Sequence, residues 1–189
     1  SNYTLRDLII DGNKSAYATG TKHGIRENSS AAGTTCAKQK YIGCVSYNNH
    51  TAGFYGCYYM TCCMAHDNGY GFYLCYFSSA CNAYDNTYGF YNIYQLSACK
   101  AYSNDSDGFF NGYSLSSCQS DHNVGNGFNT GGRITSCHSN ANTGYGYTAC
   151  KSMGFNVSAS NTAGQYNACY ADSGTSNAAA DTAAGGYNS

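Results

Sequence analysis

The chain of 189 residues carries a formal charge of -1, and only 10% of its residues are charged, so no basic field marks a nucleic-acid partner. Pro and Trp are absent while Gly reaches 23, Tyr 21 and Cys 12, which excludes the composition of an ordinary helix-packed domain. No run of about 18 apolar residues is available to span a bilayer as a helix.

Residues 1–43 open on the strand-like "YTLRDLII" and read as N-terminal coils of less regular repeat. From Cys44 the chain repeats itself. Cys44, Cys63, Cys81, Cys99, Cys118 and Cys137 follow one another at 19, 18, 18, 19 and 19 residues, and Asn156 stands 19 further on. Two residues after each of these seven starts lies a small residue: Ser46, Ala65, Ala83, Ala101, Ser120, Ser139 or Ser158. Five after lies an Asn every time: Asn49, Asn68, Asn86, Asn104, Asn123, Asn142 and Asn161. Gly and an aromatic follow at Gly53-Phe54, Gly71-Phe72, Gly89-Phe90, Gly108-Phe109, Gly127-Phe128 and Gly146-Tyr147, with Gly164 and Tyr166 as a degraded last copy. Six residues before each start runs an apolar column, Cys57, Cys75, Ile93, Cys150 and Cys169, interrupted by Gly112 and Gly131. Regular coils therefore extend over 44–174, and 175–189 form a C-terminal coil or tail of the same single domain.

The period is shorter than the helix-pair repeats of about 33 residues and upward, and it lacks a Leu lattice. Alternation such as Cys99-Lys100-Ala101-Tyr102 is that of a strand, with Gly and Asn at the corners. One winding per repeat stacks equivalent residues at about 4.8 Å. The columns then become ladders: Asn supplies the left-handed corners and hydrogen-bonds from coil to coil, while Cys, Ala and Phe fill a narrow interior. Cys behaves there as a small hydrophobe, with coil-to-coil disulfides as the alternative and the adjacent Cys62 and Cys63 as the least explained pair. The expectation is an all-β, right-handed parallel β-helix of about nine coils of 18–19 residues, on the order of 45 Å long.

With "LRDLIIDGN" followed by C-x-A-x-x-N-x-x-x-G-F coils, residues 5 to 170 resemble the right-handed parallel β-helix proteins, among them phage tailspikes and the pectate-lyase-like superfamily. The resemblance implies an extracellular, cell-surface or virion location and business with polysaccharides. The catalytic motifs of the pectin-degrading branch have no matching set here, and "GRIT" at Gly132–Thr135 is not R-I-K. No catalytic residue carries over.

Asp67 and Asp85 share one repeat position and would stack one coil apart, a separation that suits a retaining glycosidase, so they are the candidate pair for a depolymerase. Both also precede the corner Asn, where Asp is a natural turn residue, and that is the role assigned. Asp105, Asp107 and Asp121 lie further along the same edge without a calcium motif. His66 and His122 stand about 14 Å apart at sheet spacing, too far to share a metal or a proton. Pairing Cys63 with His66 for nucleophilic catalysis would ask a buried, inert thiol to react. No catalytic residue, metal site or cofactor is therefore assigned. Six N-x-S/T sequons begin at Asn2, Asn13, Asn28, Asn49, Asn104 and Asn156.

Exposed Tyr residues carry the functional expectation. Three columns recur: Tyr47, Tyr84 and Tyr102 with His66; Tyr58, Tyr76, Tyr94 and Tyr113; and Tyr55, Tyr73 and Tyr91 with Phe110. A ladder of phenol rings stacks on sugar rings and hydrogen-bonds their hydroxyls; it equally stabilises a sheet through cross-strand stacking, or buries itself against a sister chain. Neither end of the chain shows a helical or charged cap, which predicts flanking domains or end-to-end contact of subunits. The expected function is a tailspike- or adhesin-like module that binds surface polysaccharide through the Tyr face without catalysis. The expected partners are a glycan and sister subunits, as a trimer or an end-to-end fibre. The alternatives are the protomer of an extracellular filament and a polysaccharide depolymerase.

Overall fold

The computed structural model describes residues 3–16, 20, 22–27, 39–150, 152–154 and 156–167. Cys36, Cys169, the expected tail at 175–189 and the sequons at Asn2 and Asn28 lie outside them. The described chain is almost wholly strand and corner, wound as a right-handed parallel β-helix with three faces. The first sheet runs from Thr4–Arg6 to Ser152–Gly154, the second from Ile9–Asp11 to Val157–Ala159, and the third from Ile25–Arg26 to Gly164–Asn167. Among the described residues each sheet has eight strands, all parallel and in register. A coil visits the sheets in turn, as Gln95–Ser97, Lys100–Tyr102 and Phe109–Phe110 do.

The described residues hold eight strands per sheet, and the first step between them is long. Thr4 pairs with Lys40, a spacing of 36 residues, so two sequence periods serve one rung. Glu27 deals with the consequence. In the next three coils the residue entering the first sheet donates to a carbonyl of the preceding coil, as Tyr76 does to Cys57, Tyr94 to Cys75 and Tyr113 to Ile93. At Tyr58 the Glu27 carboxylate takes that donor at 2.6 Å and the Gln39 N–H at 3.2 Å, standing in for a backbone carbonyl. Burial pushes the Glu27 carboxyl above its ordinary range, against the pull of these two N–H groups. The folded chain therefore binds this proton more tightly than the unfolded chain. Stability is expected to fall as pH rises from the ordinary Glu value through the raised one, and to level off above it. Urea midpoints taken across that range should show the slope, and Glu27→Gln should flatten it.

The interior is built from the predicted columns. Phe54, Phe72, Phe90, Phe109, Phe128 and Tyr147 are buried and stack face to face at 4.7 to 5.0 Å. Opposite them lie the Cys column and the small column of Ser46, Ala65, Ala83, Ala101, Ser120 and Ser139. All ten described Cys are free, and only Cys62 is exposed, because it turns a corner with φ 53.

Asn does one of its two expected jobs. Each ladder Asn accepts, at its side-chain oxygen, the backbone N–H and the amide of the Asn one coil before, at 2.8 to 3.2 Å from Asn49 through Asn161. The left-handed turn falls instead on the residue before: Asn48, Asp67, Asp85, Ser103, His122, Ala141 and Ser160 all have positive φ. Two further corners do the same in most coils, with Ala80 and Ala98 leading into the second sheet and Leu74, Asn92 and Asn111 leaving the third, while Thr130 does not. Left-handed backbone costs an L-residue about 1–2 kcal/mol. It persists because each corner N–H reaches the next coil, as Ala80 does to Ser97 and Ala98 to Ser116 at 3.0 Å.

Candidate functional site

Where the chain leaves the third sheet it makes a left-handed turn, dips one residue into the core and emerges at an aromatic ring before entering the first sheet. Leu74, Cys75 and Tyr76 follow this path, then Asn92, Ile93 and Tyr94. In the next coil Gly112 replaces the core residue before Tyr113, and one coil later Gly131 and Gly132 occupy both places. An open groove of about 1100 Å³ follows from these deletions. Its walls are the Asn92 and Asn111 corner on one side and Tyr76, Tyr94 and Tyr113 on the other, and Arg133 closes one end.

Exposure of the three rings rises along the groove, from 43% for Tyr76 to 49% for Tyr94 and 64% for Tyr113. Tyr94 and Tyr113 lie parallel, 4.9 Å apart with 3° between planes. One face of Tyr113 is therefore covered by Tyr94, and its other face looks along the axis to the coil where Gly132 stands in place of a ring. Beside that face are exposed Arg133, half-buried Ser114, and the Asn111 amide, which is oriented by donating to Asn92 Oδ1 at 2.7 Å. A second, smaller depression of about 410 Å³ lies on the first sheet between Lys40, Tyr59, Phe77 and Gln95. Among the described residues no carboxylate lines either groove.

The ten predicted Tyr positions do not share a face. Tyr47, His66, Tyr84 and Tyr102 form one stack on the second sheet, at 4.8 to 5.0 Å between rings, all half-buried. Tyr55, Tyr73 and Tyr91 interlock on the third sheet with Phe110 and with Tyr70 and Tyr88, two rings that the column spacing did not single out. Tyr58 is half-buried between Tyr59, Tyr76 and Phe77. Only Tyr76, Tyr94 and Tyr113 line the large groove. Arg133 and the Asn92–Asn111 pair had no repeat signature to announce them, while the two glycines that open the groove were visible as interruptions of an apolar column.

The acidic candidates lie elsewhere. Asp67 and Asp85 sit at left-handed corners between the second and third sheets, outside both grooves, and Asp67 pairs with His66 at 2.7 Å. Asp107 is buried and accepts from Asn126 and Asn129, the work of an internal brace. Buried Asp121 receives the Gln119 amide at 2.6 Å and Lys100 at 3.5 Å. Cys63 lies inside and donates to the Tyr41 carbonyl, and its hydrogen bond with Cys81, reinforced by burial, pushes its thiol pKa up; His66 stands on the outer face. Asn49 and Asn104 spend their amides in the ladder, so those two sequons are buried.

The fold and the groove together define a right-handed parallel β-helix with an aromatic corner groove. No protein-family model matches the sequence, and no curated protein matches it. Among solved structures the chain superposes on the A-module of the Azotobacter vinelandii mannuronan C-5 epimerase AlgE4 with a TM-score of 0.62 and 16% identity, over 85% of this chain and 53% of that one. It also aligns with pectate lyase Pel9A, with a TM-score of 0.47 and 15% identity, over 95% of this chain and 50% of that one. The chain spans about half the length of each. The first likeness shows the fold.

Proposed function

We propose that the chain is a non-catalytic polysaccharide-binding module of an extracellular or virion-borne, tailspike- or adhesin-like protein. One observation carries the reading: the uncovered face of Tyr113 above Gly131 and Gly132, with Arg133 and the Asn111 amide beside it. A pyranose ring offers an apolar C–H face to an aromatic ring and a rim of hydroxyls to amides and guanidinium, and this corner presents both kinds of partner at one place. The Arg133 guanidinium at the groove favours a glycan that carries acid groups. The epimerase with which the fold is shared is named for mannuronan, and oligomers of that uronic-acid polymer are the first probe. Catalysis by Asp67 and Asp85 draws no support from their corner positions.

Tyr113→Ala is expected to weaken binding of a mannuronan oligosaccharide by about tenfold or more, the loss of one stacked ring contact. Tyr84→Ala, on the second sheet, should leave it unchanged. Arg133→Gln should weaken the acidic oligosaccharide while sparing a neutral one. Isothermal titration of the three variants checks this, and equal affinities for wild type and Tyr113→Ala would remove the groove from the reading.

A further inference from the structure

The interior thiols form a continuous wire. Backbone bonds of 2.9 Å from Asn82 to Cys63, Lys100 to Cys81, Gln119 to Cys99 and His138 to Cys118 hold the Cys column in register from coil to coil. Cys63, Cys81, Cys99, Cys118 and Cys137 are each no more than 1% exposed and stack one coil apart along the axis, each thiol donating to the carbonyl two residues before it at 3.4 to 3.5 Å. Cys57 and Cys75 stand one coil apart in the same way on the neighbouring corner, held by the bond from Tyr76 N to the Cys57 carbonyl at 3.0 Å. The sulfurs follow one another at the spacing of a parallel sheet, about 4.8 Å for the residues that carry them.

That spacing discriminates between two chemistries. A disulfide needs its Cβ atoms about 3.8 Å apart, so in-register Cys would have to draw two rungs together by about an ångström against the ladders on every side. A two-coordinate soft cation has no such demand: metal–sulfur bonds of about 2.3 Å place the sulfurs of a linear S–M–S bridge about 4.6 Å apart. No three His, Cys, Asp or Glu side chains converge among the described residues, so ions that require trigonal or tetrahedral protein sites are not served. Exchange is also neutral in charge. A monovalent cation forms one bond to a sulfur and releases that thiol's proton to solvent, while the neighbouring sulfur donates a lone pair. The core gains no net charge, which is the usual obstacle to burying an ion.

We infer that the Cys63–Cys137 column is a binding site for soft monovalent d¹⁰ cations, silver(I) or copper(I), held one between each pair of neighbouring sulfurs. Thiolate softness supplies the selectivity over hard cations. The reduced full chain is incubated with silver(I) nitrate without oxygen, both folded and during refolding, then desalted and analysed for metal. One proton should be released per ion retained. X-ray absorption should show a two-coordinate shell of sulfur alone. Cys81→Ser with Cys118→Ser leaves Cys44 and Cys63 as the one neighbouring pair of the column and should reduce uptake to that of the Cys44–Cys63 and Cys57–Cys75 pairs, whereas Cys62→Ser, at the exposed corner, should change nothing. Failure to retain silver in either preparation, or undiminished uptake by the double variant, would overturn the inference. Should that variant fail to fold, a native shell containing nitrogen, oxygen or a third sulfur would overturn it alone.

Discussion

Asn86→Ala is expected to lower the unfolding free energy by about 3–5 kcal/mol, read as a shift of the urea midpoint. Asn86 accepts from Asn68 N at 3.0 Å and Asn68 Nδ2 at 3.1 Å, and donates to Ala65 O at 3.0 Å, Tyr84 O at 2.9 Å and Asn104 Oδ1 at 3.2 Å. All of this lies out of reach of water, since Asn86 is 0% exposed. Alanine strands the Asn68 N–H and takes one partner from the Asn68 amide, the Ala65 and Tyr84 carbonyls and Asn104 Oδ1, and each stranded buried group costs about 1–3 kcal/mol. Stability in a solenoid is a sum over neighbouring interfaces, so the break weakens both sides of the rung. Asn86→Asp separates hydrogen bonding from shape. The carboxylate keeps the acceptors but sets negative charge against the Ala65, Tyr84 and Asn104 oxygens, so its deficit should be largest at neutral pH and shrink as the acid protonates. A ladder that serves only as filler would predict equal, small effects for both variants.

Gly89→Ala should cost about 2–4 kcal/mol, although it adds a single carbon. A Cβ at this position would meet Gly108 O at 2.5 Å, Ala101 Cβ at 3.0 Å and Asn104 Nδ2 at 3.1 Å, all of them backbone or ladder atoms with nowhere to retreat. Gly71 faces the same three kinds of atom in its own coil. The glycine of the Gly-Phe motif is thus required by space, and the small column opposite exists for the same reason: the second and third sheets converge here around the Asn ladder. Ala101→Gly should recover part of the loss in the Gly89→Ala background, and additive effects of the two changes would contradict the packing explanation.

Much of this architecture was legible before the coordinates. The Cys, Asn and Gly-aromatic columns recur at one period, and a period of 18–19 residues with strand alternation leaves few solutions other than a coil per repeat. Register followed directly, because ladder residues sit on the same face of each rung. Position around the axis did not follow. Tyr73 and Tyr76 are three residues apart yet belong to different surfaces, since the left-handed turn at Leu74 lies between them. Which residue takes that turn is hidden by composition: Leu74, Cys62 and Ala98 have no intrinsic taste for positive φ, and inter-coil hydrogen bonds impose it on them. The first rung was unreadable for a related reason, since its 36-residue step carries no columns to count. The groove was half visible. Gly112 and Gly131 break an apolar column, but only the three-dimensional path shows that the break lies beneath an exposed ring and beside Arg133.

The most direct test of the groove assignment is amide hydrogen exchange of the full chain with and without a saturating mannuronan oligosaccharide. The assignment predicts added protection at 74–76, 92–94, 111–114 and 131–133, with the second sheet unchanged. Protection confined to the Tyr47–Tyr84–Tyr102 stack, to the corner at Asp67 and Asp85, or to no segment at all would contradict it.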